Sequence, residues 1–300
     1  MKLRFLCIAL SLLYNIPNAS ADDGNTTVRL LDAGLGAKVT LRLRPKAGQK
    51  QHFTFTTSMQ MAMKVNGTRA PQVEIPPIVQ SMNAEILSVD PNGDIRFRIT
   101  FSDAKLGDGG APDVRNAIIK ELKGLASVRM VGTMTDRGVN KAITVEGKEK
   151  LTEIQSKLLF DLERSFKQLS QPFPEDPIAP GAKWKTETHL TMNAIPMITD
   201  TYFELVSVSK NAHKYALKVA TKVRTDAESV KLPNPPITMS INSLKGKGEG
   251  QSKGDTRLVL PISSTVDSTV GISMSSVVAG ERITLDMDMD MNMSVKHVKQ

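Results

Sequence analysis

Leu285-Asp286-Met287-Asp288-Met289-Asp290-Met291-Asn292-Met293 alternates sulfur with acid near the carboxyl end of the chain. Successive side chains of an extended strand leave opposite faces. Met287, Met289, Met291 and Met293 therefore share one face, and Asp286, Asp288, Asp290 and Asn292 share the other. A shorter stripe, Met59, Met61 and Met63, lies toward the amino end. Three chemistries suit such stripes. Thioethers favour Cu(I), but same-face neighbours on a strand stand about 6.6–7 Å apart, and no histidine lies close before His297. Methionine also fills irregular cores, and it adapts to the walls of apolar ligand cavities. The seven methionines are the candidate ligand-binding residues, with plain core as the competing reading.

The acidic row lacks the glycine turn and distal glutamate of a calcium loop. It is expected to be a solvated face near lysines, one that discourages edge pairing of a methionine-rich strand. His52, His189, His213 and His297 show no ligand spacing. There is no Gly-x-Ser-x-Gly elbow. Ser102 and Lys105 match Ser-x-x-Lys without its partner motifs, and Lys245-Gly-Lys-Gly-Glu-Gly lacks the Gly-Lys-Ser/Thr ending of a phosphate loop. That tract is expected to be either a flexible loop or a glycine-rich strand permitting close approach and curvature. No catalytic constellation emerges, so the expectation is a non-enzyme with no cofactor and no metal.

The elements that position these residues begin with a leader. Lys2 and Arg4 precede the apolar run Phe5–Leu13, and Ala19-Ser20-Ala21 offers a cleavage site. The run is too short to span a bilayer. The expected mature protein starts at Asp22, is secreted or periplasmic, and carries no transmembrane segment. Cys7, the only cysteine, is lost with the leader, which excludes disulfides and thiol chemistry. Without Lys2 and Arg4 the chain keeps 37 basic against 31 acidic residues, a net charge of +6. Arg42, Arg44 and Lys46 alternate with Leu41 and Leu43 along an expected strand. They are read as a solvated face, or as a contact to an anionic surface. Aromatics make up only 4% of the chain, with no basic patch interleaved among them, which argues against nucleic acid.

The second half echoes the first. Gly48-Gln49-Lys50 returns as Gly181-Ala182-Lys183, Glu85–Val89 as Glu204–Val208, Ile95–Ile99 as Tyr215–Val219, and Arg137–Thr144 parallels Lys253–Leu260. Period-two patterning dominates both halves, with a hairpin expected at Pro91-Asn92-Gly93. Strands are also expected at Ile237–Leu244 and Asp255–Pro261. Helical spacing occupies Asp113–Leu125, with Asp113 as N-cap, and Lys148–Leu169, which Pro172 stops. The expected organisation is a signal peptide at 1–21, a first β-rich repeat with helices at 22–170, and a second repeat at 171–300. The expected fold class is α+β, mainly long antiparallel strands in two related halves with a few helices packed on the sheet.

The joint, Pro172-Phe173-Pro174-Glu175-Asp176-Pro177 followed by Gly181-Ala182-Lys183-Trp184, resembles a stretch of secreted bacterial β-rich proteins of unknown function. That resemblance carries no activity. At coarser grain the architecture is similar to the half-barrels of periplasmic lipoprotein carriers and lipid-binding lipoproteins, an analogy of form only. The function expected from export, duplication and methionine stripes is binding of an apolar or amphipathic ligand, or of a cell-envelope component. The alternative is a structural or protein-interaction module of the envelope with no small-molecule ligand.

Overall fold

The computed structural model describes residues 26–71, 74–152, 155–156, 159, 170–192, 195–233, 236–278 and 280–298. The expected leader at 1–21 lies outside them. The first half contributes β1 (Thr27–Asp32), β2 (Lys50–Val65), β3 (Thr68–Arg69), β4 (Ile78–Val89), β5 (Ile95–Leu106), β6 (Arg129–Met134) and β7 (Asn140–Glu146). The second contributes β8 (Lys183–Met192), β9 (Ile195–Val208), β10 (Lys214–Arg224), β11 (Ser229–Pro233), β12 (Pro236–Asp255), β13 (Ser263–Val278) and β14 (Glu281–Val298). All fourteen form one antiparallel sheet, in the order β1-β8-β9-β10-β12-β13-β14-β2-β4-β5-β6-β7, with β3 beside β2 and β11 beside β12.

The α+β expectation is corrected: the fold is β-rich. Among the described residues the complete α-helix is α1 (Pro112–Gly124). Its N-cap is Ala111, with Pro112 in the first turn, so Asp113 sits inside the helix without capping it. Of the helix expected over Lys148–Leu169, Lys148–Lys150 form a 3-10 turn that ends at extended Leu151. Gln155, Ser156 and Leu159 are helical, and the remainder lies outside the described residues. The Lys245–Gly250 tract is the middle of β12, paired on both sides. Of Asp255–Pro261, expected as a strand, Asp255 ends β12 and the rest is a turn, in which the Arg257 guanidinium donates to both Asp255 carboxylate oxygens.

The echo in sequence is an echo in register. Lys50 stands opposite Glu85, and its counterpart Lys183 stands opposite Glu204. The Gly48 amide donates to the Ile86 carbonyl at 2.8 Å, and the Gly181 amide donates to the Leu205 carbonyl at 2.7 Å. A bulge skips Leu87 in β4 and Val206 in β9. The Arg137–Thr144 parallel is the exception. Ile95 pairs Met134 while Tyr215 pairs Gly254, so Met134 rather than Gly138 is the structural counterpart of Gly254. Each half also lends a strand to the other: β1 flanks β8, and β14 flanks β2.

The sheet curls. β12 and β6 lie six places apart in it, about 29 Å if it were flat. Yet consecutive residues reach both of their turns: the Leu43 amide donates to the Asp136 carbonyl and the Arg44 amide to the Thr256 carbonyl, each at 2.6 Å. Residues 41–46 are therefore a strap across one end of the curled sheet and not the strand expected from their alternation. The proline joint locks the same end. Trp184, fully buried, donates its indole N–H to the Pro172 carbonyl at 2.8 Å and stacks on Phe203 at 5.4 Å. Burying the indole N–H without that acceptor would cost about 1–3 kcal/mol.

The glycines of β12 admit close neighbours. On the strand's inner face, a Cβ at Gly248 would meet Thr221 Oγ1 at 2.5 Å, and one at Gly246 would meet Val270 Cγ2 at 2.9 Å. Side chains from β10 and β13 converge over these glycines, which is the close approach that a strand glycine permits.

Candidate ligand-binding face

The methionine stripes meet across one strand boundary. In the β14–β2 register Met287 stands opposite Met63, Met289 opposite Met61 and Met291 opposite Met59. Met293 stands opposite Thr57. On its other side β14 presents the same face to Ile272, Val270, Ser268 and Val266 of β13. Directly opposed side chains have Cβ atoms about 4.5–5.5 Å apart, so six thioethers form a continuous two-strand ladder.

Two buried apolar clusters bracket this ladder. The larger lies toward the strapped end and gathers Phe53, Phe55, Phe97, Trp184, Leu217 and Val295. The smaller lies toward the distal hairpin tips, around Met197, Val230, Ile272, Met274 and Leu285. Met293 packs on the first cluster, and Met63, Met287 and Met289 pack on the second. Met59, Met61 and Met291 belong to neither. All seven predicted residues are half-buried, neither sealed nor fully exposed.

The opposite face carries Asp286, Asp288, Asp290 and Asn292 as the alternation requires. Asn292 donates to Asp267 at 2.6 Å, and Asp286 stands opposite Lys64. Among the described residues no three histidines, cysteines, aspartates or glutamates converge as metal ligands. The histidines are dispersed. His52 pairs with Asn83, His213 Nδ1 lies 3.4 Å from Thr256 Oγ1, and His189 Nε2 lies 3.0 Å from Glu187.

Arg42 is not a free surface cation. Its guanidinium donates to the Leu41, Pro174 and Glu175 carbonyls and lies 3.5 Å from Asp136, fastening the strap to the joint. Arg44 and Lys46 remain exposed.

One polar constellation escaped the sequence reading. On the outer face of β8, β9 and β10, Lys185 Nζ lies 2.7 Å from Asp200 and 3.4 Å from Glu187, and Arg224 lies 3.7 Å from Asp200. Burial alone would raise the Asp200 carboxyl. The hydrogen bond and charge of Lys185, with the charge of Arg224, outweigh it and hold the group below its ordinary value. The same hydrogen bond raises Lys185. Three strands assemble this cluster, so no single segment advertises it. Fully compensated by ion pairs, it braces the sheet.

Among the described residues, concavities open on the surface in at least two places. One of about 730 Å³ lies over the outer face of β8–β13, with Tyr202, Lys183, Glu204 and Lys218 in its lining. One of about 530 Å³ lies between the start of β1 and the β6–β7 turn, lined by Val28, Arg137 and Lys141 among others. Neither touches the methionine ladder.

Residues 121–258 match a family described as "Family of unknown function (DUF6263)". No curated protein matches the chain. Among solved structures the chain is similar to the outer membrane protein AlkL, determined by solid-state NMR in DMPC lipid bilayers. It is 7% identical to AlkL, covers 90% of this chain and 98% of that one, and has a TM-score of 0.21. Ail, the attachment invasion locus protein of Yersinia pestis, is 7% identical over 83% of this chain and 99% of that one, with a TM-score of 0.14. A loop-deletion mutant of OmpT, an outer membrane protein of Vibrio cholerae, is 7% identical over 84% of this chain and all of that one, with a TM-score of 0.17. Scores this low transfer neither an activity nor a location to the chain.

Proposed function

We propose that this chain is an exported, non-catalytic binding protein that holds an apolar or amphipathic ligand against the methionine ladder of β14 and β2. One observation carries the reading: Met59, Met61 and Met291 lie between two buried clusters, join neither, and stay half exposed. A contiguous apolar surface left open in this way is characteristic of binding grooves, and covering it stabilises a complex by about 25 cal/mol per Å². The unbranched thioether adapts to acyl chains of differing shape. The curled, strapped sheet supports the reading, because it offers a concave face rather than a flat one. The leader expected at residues 1–21 is consistent with an envelope setting.

The test is native mass spectrometry of the mature protein, purified gently from its export compartment, with organic extraction of anything bound. A near-stoichiometric lipid or other apolar molecule is the expected result. An apo mass that stays unchanged after incubation with envelope lipids and with Cu(I) overturns the reading.

A second reading, a structural or protein-interaction module of the envelope, draws on a different observation: both described concavities avoid the methionines. Under it the ladder is core, and truncating Met61 lowers stability without altering any ligand load.

A further inference from the structure

The distal end of the sheet carries a second, independent surface. The β2–β3 turn is tied to β14 by the Asn66 amide donating to the Thr284 carbonyl at 2.9 Å and by the Thr284 amide donating to Asn66 Oδ1 at 2.7 Å. The β13–β14 turn follows, where Val277 stands opposite Arg282. The β11–β12 hairpin is tied in turn, since Ser276 Oγ donates to the Thr238 carbonyl at 2.7 Å and Thr238 stands opposite Lys231. Three hairpin tips thus lie side by side across the strands β11-β12-β13-β14-β2-β3, a rim roughly 24 Å wide at the usual strand spacing.

The outward positions of this rim are cationic. Alternation from buried Val230, from Leu285 and from the methionines puts Lys64, Arg69, Lys231 and Arg282 on the outer face, and all four are exposed. Lys64 and Arg69 stand directly opposite one another in the β2–β3 pair. Like charges set face to face destabilise a sheet pair, so the arrangement is not explained by stability. Among the described residues none of the four cations has an ion-pair partner, while Lys185, Arg224 and Arg257 elsewhere are paired. Asp286, opposite Lys64, shares their face, with Asp288 and Asp290 farther from the tips along β14, while Glu281 falls on the other face. Among them Val277 is 69% exposed.

We infer that this rim docks on an anionic lipid bilayer: Lys64, Arg69, Lys231 and Arg282 meet headgroup phosphates while Val277 enters the interfacial layer. Charge complementarity and one exposed aliphatic tip amid unpaired cations select a membrane surface over a protein groove. The inference extends the ligand reading to delivery and rests on it only for what is carried. The rim and the methionine ladder are separate residues on opposite faces.

The experiment is co-sedimentation of the full mature chain with vesicles of phosphatidylcholine alone and of phosphatidylcholine mixed with phosphatidylglycerol. Binding is expected only with the anionic lipid and is expected to weaken with salt. Each cation near such a surface contributes about a fivefold factor, so Arg69→Ser with Arg282→Ser should weaken binding on the order of twentyfold. Val277→Asp should also weaken it, and Lys210→Ser with Lys214→Ser at the strapped end should not. No binding to anionic vesicles, equal binding to neutral ones, or equal loss from the Lys210/Lys214 variant overturns the inference. Heparin bound as tightly as vesicles would reassign the rim to a soluble polyanion and overturn it too. Co-purified ligand is measured on the same samples. A rim variant that keeps its ligand but loses vesicles separates the two proposals, and vesicle binding by a chain that carries no ligand leaves the rim standing while the ladder reading fails.

Discussion

Met289 of β14 stands opposite Met61 of β2, joining a strand from the end of the chain to one from its beginning. This pair lies at the centre of the ladder. Met61→Ser with Met289→Ser should weaken binding of a fluorescent fatty-acid probe. At about 25 cal/mol per Å², losing each methionine's contact costs roughly 1 kcal/mol, or about fivefold in Kd. Fluorescence titration of both proteins checks this, and unchanged affinity would remove the ladder from the site.

Trp184 is the only tryptophan, so intrinsic emission reports one position. The native spectrum should be that of a buried indole and should shift red on unfolding. Trp184→Ala removes the stack on Phe203 and the bond to the Pro172 carbonyl. It should cost about 3–5 kcal/mol, read as a lower urea midpoint by circular dichroism.

Glycines on the inner face of β12 should resist substitution. Gly248→Val places branched carbon where Thr221 Oγ1 and Ser268 Cβ already sit, at 2.5 and 3.0 Å from a new Cβ. Overpacking of this kind costs about 1–3 kcal/mol. Gly271, whose nearest neighbour would be Asp288 Oδ1 at 3.3 Å, should tolerate alanine far better. Thermal melts of the two variants give the comparison.

Stability should fall at both extremes of pH. Arg257 hydrogen bonds hold the Asp255 carboxyl below its ordinary value of 3.8. A depressed folded value means the contribution is complete above the unfolded value and is lost as pH falls through the folded one. Burial, then the charge of Asp255, raises the Tyr215 phenol above its ordinary value of 10.0. A raised folded value means that contribution is complete below the unfolded value and is lost as pH rises beyond it. Asp255→Asn should flatten the acid limb of a urea-midpoint profile, and Tyr215→Phe the alkaline limb.

The local features of the chain were legible because they depend on near neighbours. Period-two alternation located β4, β5, β10 and β14, and Pro91-Asn92-Gly93 marked a turn, since pleat and turn chemistry act within a few residues. The echo of Gly48-Gln49-Lys50 in Gly181-Ala182-Lys183 pointed to hydrogen bonds that repeat in the structure. The methionine stripes were legible as stripes. Only the tertiary structure decided what they face, because a strand is completed by partners that sequence does not order. Pairing of β14 with β2, more than two hundred residues away, turned two stripes into one ladder. Pairing of β12 on both sides made a strand of a glycine-rich tract that could have been a loop. Closure of the curled sheet took Arg42 from a row of charges and fixed it on the carbonyls of the proline joint. Alternation is a property of one chain segment, whereas curvature, edge exchange and the gap between two cores arise from which segments meet.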